Sequence, residues 1–369
     1  MKKASICFAV AVAVVCLASA CARTSGGAAQ PKQPASGPGG AAYKHADVKI
    51  YRVGSGNEEY WLFEPASPAP ETAPVVAILH GWGGMNPQSY GAWIRHLVRR
   101  GNIVIYPRYQ ESLRTNPAAM TAAAAASIRD AFAQLRRPGH VHAEKGRFAA
   151  VGHSLGAVIA LNLAAVADDE NIPPLAAVMS AEPGDSKNSN VAKKFNLKNT
   201  QSILMDYSKV PADTLYISLA GDNDRMVGDE TAKFLFSKTT AIPSKNKAFI
   251  IVHSDSHGSP PLDASHSFPP APDNSLNVGY DSNSGPVRDF IKKKIAERRA
   301  ENSEDMESRR HHMTDALDYY GTWRLFDALT DCAFYGKYCE LALFDTPKAR
   351  FMGKWSDGTP VKELTIVKK

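Results

Sequence analysis

The sequence predicts an α/β domain with a mainly parallel central sheet and helices on both faces, on three observations. Short apolar runs rich in β-branched residues recur from Val48 onward, and nearly continuous apolarity is what strands buried on both faces require. Stretches of helical period separate several of these runs, the alternation expected of parallel strands joined by crossover helices. The chain is also long enough: 369 residues, 44% hydrophobic and 22% charged, can enclose a large core and do not resemble a disordered or collagenous composition.

In chain order, residues 48–53 and 60–63 read as an opening hairpin. Residues 75–79, 103–106, 147–152, 175–180, 214–220 and 249–252 read as buried strands, the last reaching back to Lys247. Helices are expected over 90–100, 118–137 and 157–167, the second so rich in alanine that it should approach the sheet closely. A highly charged helical stretch over 288–310 should be mostly solvated. Tyr319, Trp323 and Phe326 recur at helical spacing and predict a final helix docked on the sheet. The tail from Cys332 to Lys369 carries no chemical motif, so residues from about 314 onward read as a C-terminal extension of a domain over 43–369.

Residues 1–20 read as a secretory signal: Lys2 and Lys3 precede an apolar stretch that closes on Ala18-Ser19-Ala20. Cys21 follows, and Leu17-Ala18-Ser19-Ala20-Cys21 resembles a bacterial lipoprotein box, which implies a lipidated Cys21 and an exported, membrane-anchored protein. Ordinary cleavage at the same bond, giving a secreted or periplasmic product, is the alternative. The remainder of 21–42 is rich in Gly, Ala, Pro and Ser and reads as a flexible linker. No internal stretch reaches the roughly 18 consecutive apolar residues of a spanning helix.

The net charge of +6 includes Lys2 and Lys3, and the rest is too small and scattered to argue for a nucleic-acid partner. Of the 5 cysteines, Cys7 and Cys16 leave with the signal. If Cys21 carries lipid, Cys332 and Cys339 remain as a pair for a disulfide in an oxidising compartment. Along a straight helix their Cα atoms would stand about 10 Å apart, beyond the ~7 Å limit of a bridge, so the chain must bend near Gly336.

The clearest chemical motif is Gly152-His153-Ser154-Leu155-Gly156, a G-x-S-x-G pattern after a strand and before a helix. A sharp turn there needs small neighbours and presents the Ser154 hydroxyl at a helix N-terminus. On these residues the chain resembles the α/β-hydrolase superfamily over about 48–290, particularly dienelactone hydrolases and cutinase-like polyester hydrolases. The resemblance implies the chain order serine, acid, histidine, with an oxyanion turn ahead of the serine. His80-Gly81-Trp82-Gly83-Gly84 matches that turn, and the backbone N–H groups of Trp82 and Leu155 would be the donors; His80 would order the loop. Asp224, after the penultimate parallel strand, occupies the acid place, with Asp222 and Glu182 as rivals. His257 is the expected base; His266 is its rival, while His253 lies too near the strand.

This set implies hydrolysis of a small-molecule or lipid-like ester through an acyl-enzyme on Ser154, of carboxylesterase or lipase type, with no metal or organic cofactor. A peptidase or acyltransferase on the same fold and a non-catalytic surface binding protein are the alternatives. His311 and His312 point to different sides of a helix and lack a third metal ligand at suitable spacing. The resemblance places a short cap over 184–212, with a helix over 202–208, and the Pro-rich stretch 259–272 should form an ordered loop beside the pocket.

Overall fold

The computed structural model describes residues 27–187, 201–278 and 314–367. The signal, Cys21, the 288–310 stretch, His311 and His312 lie outside them. Among the described residues, nine strands form one sheet. β1 (Asp47–Val53) and β2 (Tyr60–Ala66) pair antiparallel as the expected hairpin, and β2 also pairs antiparallel with β4 (Ile103–Pro107). From β4 the sheet continues parallel through β3 (Thr72–Leu79), β5 (His142–His153), β6 (Ala177–Ala181), β7 (Leu215–Gly221) and β8 (Lys247–Val252). A short edge strand, β9 (Thr365–Val367), runs antiparallel to β8.

The side-chain alternation of a strand explains why helices cover both faces. Val76 and Ile78 of β3 enter one core with Trp93 and Leu97 of α1 (Gly91–Arg100). Val75, Ala77 and Leu79 enter the other, with Ile128 of α2 (Met120–Gln134) and Val158 of α3 (Leu155–Ala165). Every residue of α3 is buried, which is why it reads as apolar all round rather than striped. α4 (Glu230–Lys238) was not anticipated, because its buried face is only Ala232, Leu235 and Phe236 among charged residues. α5 (Trp323–Tyr335), preceded by a wider turn over Leu317–Thr322, is the helix expected there and packs Leu325 and Phe326 on the α1 face, but it is not the last, since single helical turns at Cys339–Ala342 and Pro347–Arg350 follow.

Two expectations change. Residues 202–208 form no α-helix: Asp206 caps a single 3-10 turn, Tyr207–Lys209, and Val210 turns extended ahead of Pro211, as a residue before proline prefers. The stretch read as a flexible linker is docked from Gly27 onward. Ala28 bridges to Gly258, Arg100 donates to the Gly37 carbonyl at 2.8 Å, Gly39 N donates to Asp327 Oδ2 at 2.7 Å, and Pro31, Pro38, Gly39 and Gly40 are buried. Small residues with few apolar groups suit this packing because the body supplies the partners. The C-terminal extension packs on the body, with Trp355 buried in the main core and β9 added at the edge of the sheet.

Cys332 and Cys339 form a disulfide with Cα atoms 4.8 Å apart. The bend that permits it comes where α5 stops: Gly336 takes φ 66°, the left-handed conformation glycine adopts without a Cβ clash.

Candidate active site

β5 ends at His153 and α3 begins at Leu155, so Ser154 alone makes the turn. It does so at φ 57° and ψ −123°, a conformation that costs a non-glycine residue of order 1–3 kcal/mol. Neighbouring backbone holds it there: Ser154 N donates to Ala181 O at 3.0 Å, and Gly184 N donates to Ser154 O at 3.2 Å. The flanking glycines are required by clearance. A Cβ on Gly152 would stand 2.0 Å from Gly156 O, and one on Gly156 would stand 2.2 Å from Leu79 O.

The buried Ser154 hydroxyl lies 3.0 Å from His266 Nε2, and His266 Nδ1 lies 2.7 Å from Asp224 Oδ2. The other Asp224 oxygen accepts the Met226 and Val227 amides at 2.8 and 3.0 Å. Burial opposes ionisation of Asp224, but hydrogen bonding from His266 and the Val227 amide, together with the nearby Glu182 carboxyl, outweighs it, and the group is held below the ordinary carboxylate range. Glu182 is the opposite case. It is fully buried, no hydrogen bond of good geometry reaches its side-chain oxygens, and burial together with the Asp224 carboxylate pushes it well above the ordinary range. It is therefore a neutral acid beside an ionised one.

On the other side of Ser154, the oxyanion turn has its amides sorted. Gly81 N donates to the Tyr90 hydroxyl at 3.0 Å, Gly83 N to Gln110 Oε1 at 2.7 Å, and Gly84 N to Gly81 O at 2.9 Å. The Trp82 amide is left uncommitted between them. The Leu155 amide opens the first turn of α3, where no intrahelical acceptor exists. His80 orders the loop: its ring stacks on Tyr109 with centroids 4.2 Å apart, and its nitrogens lie against the Gly81 and Arg108 carbonyls. Burial pushes its pKa down to about 4, so the ring is neutral and only one of those nitrogens donates.

A cleft of about 590 Å³ opens on Ser154 and His266, walled by Trp82, Tyr90, Met226, Pro270 and Pro272. The Pro-rich stretch is ordered as expected, with Ala92 N donating to Ala271 O at 2.9 Å and Asp273 N to Gln88 O at 2.8 Å. Among the described residues, one group could offer three metal ligands, and it is Glu182, Asp224 and His266. Both His266 nitrogens are engaged, by Ser154 and Asp224.

His257, the histidine expected as base, stands elsewhere, and this corrects the assignment. Its ring is 40% exposed and Nε2 pairs with Asp357 Oδ2 at 2.7 Å. The reason lies in the path after β8. Asp255 and Leu262 exchange both backbone hydrogen bonds at 2.9 Å, which puts His257 on an excursion toward the C-terminal extension. Only the returning limb passes the sheet end: Asn223 N donates to Ala264 O at 3.1 Å, and a Cβ on Gly221 would stand 2.1 Å from that oxygen. His266 follows two residues later and meets Asp224. The other rivals have structural partners. Asp222 accepts from His253 Nδ1 at 3.0 Å and from Ser254, and His253 Nε2 reaches Thr365 Oγ1 at 2.8 Å, clamping β9 to the loop. Sequence reasoning passed over Tyr90 and Gln110, for which no motif gives a signal, and over His153, although it stands inside the serine motif.

Sheet order, elbow turn and a serine hydrogen-bonded to a histidine together define a hydrolase of the α/β fold. Residues 77–255 match the sequence model of a family described as alpha/beta hydrolase fold, a span that includes the oxyanion turn, Ser154 and Asp224 and ends before both candidate histidines. The match supports a place for these residues in the α/β-hydrolase superfamily. A search of curated proteins found no match.

Proposed function

We propose that this protein is a serine hydrolase cleaving carboxylic esters through an acyl-enzyme on Ser154, with His266 as general base and acid and Asp224 orienting it. The observation that carries the reading is the unbroken line from Ser154 Oγ through the His266 ring to the Asp224 carboxylate. His266 Nε2 takes the hydroxyl proton as Oγ attacks the ester carbonyl, and the developing oxyanion rests on the Trp82 and Leu155 amides. The same proton passes to the leaving alcohol, and water activated by His266 then releases the acid. Asp224 remains ionised and stabilises the imidazolium, consistent with a carboxyl held below the usual range. The apolar and aromatic cleft, together with the resemblance to cutinase-like and dienelactone hydrolases, favours an apolar or lipid-like acyl group.

Export and lipid attachment at Cys21 complete the proposal. Gly27 is docked beside Gly258 and Ser259, and six residues of chain span at most about 20 Å, so a lipid on Cys21 would hold that side of the molecule near the membrane. Replacement of Cys21 by Ser should release the protein from the detergent phase on partitioning; unchanged partitioning would remove the anchor.

The test of the chemistry is the intact mass of the full chain after a fluorophosphonate, with Ser154→Ala alongside. One adduct on wild type and none on the variant, with turnover of p-nitrophenyl esters, supports the reading. No adduct on folded protein overturns it in favour of a binding protein, and faster cleavage of amides or transfer to added alcohols redirects it to a peptidase or an acyltransferase.

A further inference from the structure

One set of buried polar groups touches the site without entering the chemistry just described. The Gly81 amide lies 3.0 Å from the Tyr90 hydroxyl, that hydroxyl lies 2.8 Å from His153 Nδ1, and His153 Nε2 lies 2.8 Å from the backbone carbonyl of His266. Tyr90 and His153 are both buried. The direction of every bond follows from its ends. Gly81 N–H can only donate, so the Tyr90 oxygen accepts and its single O–H is free to donate to His153 Nδ1. A neutral imidazole that accepts at Nδ1 carries its proton on Nε2, and the His266 carbonyl can only accept. The chain therefore has one consistent arrangement.

Its two ends are the parts of the site that must keep register with each other. Gly81 adjoins Trp82, whose amide is the uncommitted donor of the oxyanion turn, and the last acceptor is the main chain of the proposed base. His153 itself is the residue before the nucleophile, and a Cβ on Gly81 would stand 3.2 Å from both His153 Nδ1 and Ser154 Cβ. We propose that Tyr90 and His153 are positioning residues, joining the oxyanion turn, the elbow and the base loop through one directed chain of hydrogen bonds. Neutrality of His153 suits this role, because its ring lies 4.9 Å from that of His266 and a charge there would oppose the imidazolium formed in catalysis. Burial, reinforced by His266, pushes the His153 pKa down to about 3.

The proposal rests on the serine-hydrolase reading, and its test separates the two. Wild type, Tyr90→Phe, His153→Leu, His153→Gln and the Tyr90→Phe/His153→Leu double variant are compared, as full chains, on p-nitrophenyl butyrate. Each single loss of the chain should lower kcat about 10- to 100-fold with KM within about twofold, because a misplacement near 1 Å suffices for that loss. His153→Gln retains a donor near the Nε2 position and should recover much of the rate. The double variant should fall little further than either single variant, since both break one chain. Additive losses, losses confined to KM, or singles within about twofold of wild type would each overturn the proposal. If wild type shows neither turnover nor a Ser154 adduct, the serine-hydrolase reading fails, and histidine nitrogen NMR still decides the relay. His153 should hold the Nε2–H tautomer in wild type and lose that preference in Tyr90→Phe; mixed tautomers in wild type would refute the directed chain.

Discussion

The elbow and the base loop supply the two reacting side chains, yet they are held in place by different kinds of contact. Within Gly152 to Gly156 the turn is set by consecutive residues: two glycines without clearance for a Cβ, a serine at positive φ, and a helix that starts at once. The base loop, by contrast, is held from outside. Asp255 Oδ2 accepts Trp355 Nε1 at 3.2 Å and Lys362 N at 2.9 Å, from about a hundred residues away, while Gly258 is covered by Ala28 of the N-terminal segment. A nucleophile can thus be encoded locally while its base depends on the termini, and damage to the two regions should look different.

The largest effect expected is on turnover. Ser154→Ala and His266→Ala should each lower kcat by about 10⁴-fold or more, and Asp224→Asn by roughly 10³- to 10⁴-fold, whereas His257→Ala should remain within about twofold of wild type. Steady-state kinetics on one chromogenic ester checks all four, and a dead His257→Ala beside an active His266→Ala would reverse the comparison. Gly152→Ala strikes the elbow through sterics, with its Cβ 2.0 Å from Gly156 O, and should cost about 3 kcal/mol or more of stability, read by urea unfolding.

Trp355→Ala probes the other region. A fully buried tryptophan removed to alanine costs about 3–5 kcal/mol, and here the loss should also reduce kcat, because the loop that carries His266 loses its outer support. Full activity in a destabilised Trp355→Ala protein would show that the base loop holds itself. Reducing the Cys332–Cys339 disulfide closes no such path to the site. It should lower stability by about 2 kcal/mol, the chain-entropy value for so short a loop, with kcat unchanged.

The smallest effect is a pH dependence at Glu182. Its folded-state carboxyl is raised above the ordinary value of 4.5, so the folded protein keeps a proton that the unfolded chain releases as pH rises through that value. Stability contributed at low pH is lost on going up. Glu182→Gln, which has no proton to lose, should raise the thermal midpoint relative to wild type near pH 8 and give no gain near pH 4. Asp224 has the opposite sign: its contribution is present above the ordinary carboxylate value of 3.8 and is lost as acidification protonates it.

How far the sequence reads depends on where the determining contacts lie. The parallel strands declared themselves because both of their faces are buried, and Ser154 because its constraints fit within five residues. β9 and α4 did not, being respectively three residues long and striped by only three buried side chains. The 27–42 stretch was misread from composition alone: glycine and proline make a loose linker in isolation, but here they fit a surface that only the folded body provides. His257 is favoured over His266 by a spacing from the last parallel strand that resembles that of cutinase-like and dienelactone hydrolases. Distance along the chain measures reach, and both histidines had it.

By itself, the sequence determined the alternation of buried strands and helices and the strand-to-helix position of Ser154, because each follows from periodicity or from steric need among neighbours, while Asp224 stood out only through the resemblance to α/β-hydrolases. Only the tertiary structure decided which histidine meets the serine. The Asp255–Leu262 exchange turns one away, the approach of Ala264 to Gly221 brings the other in, and Trp355, Lys362 and Ala28 contact that loop from the far ends of the chain. Such contacts are absent from any local window, since their energy appears only when distant segments have already packed.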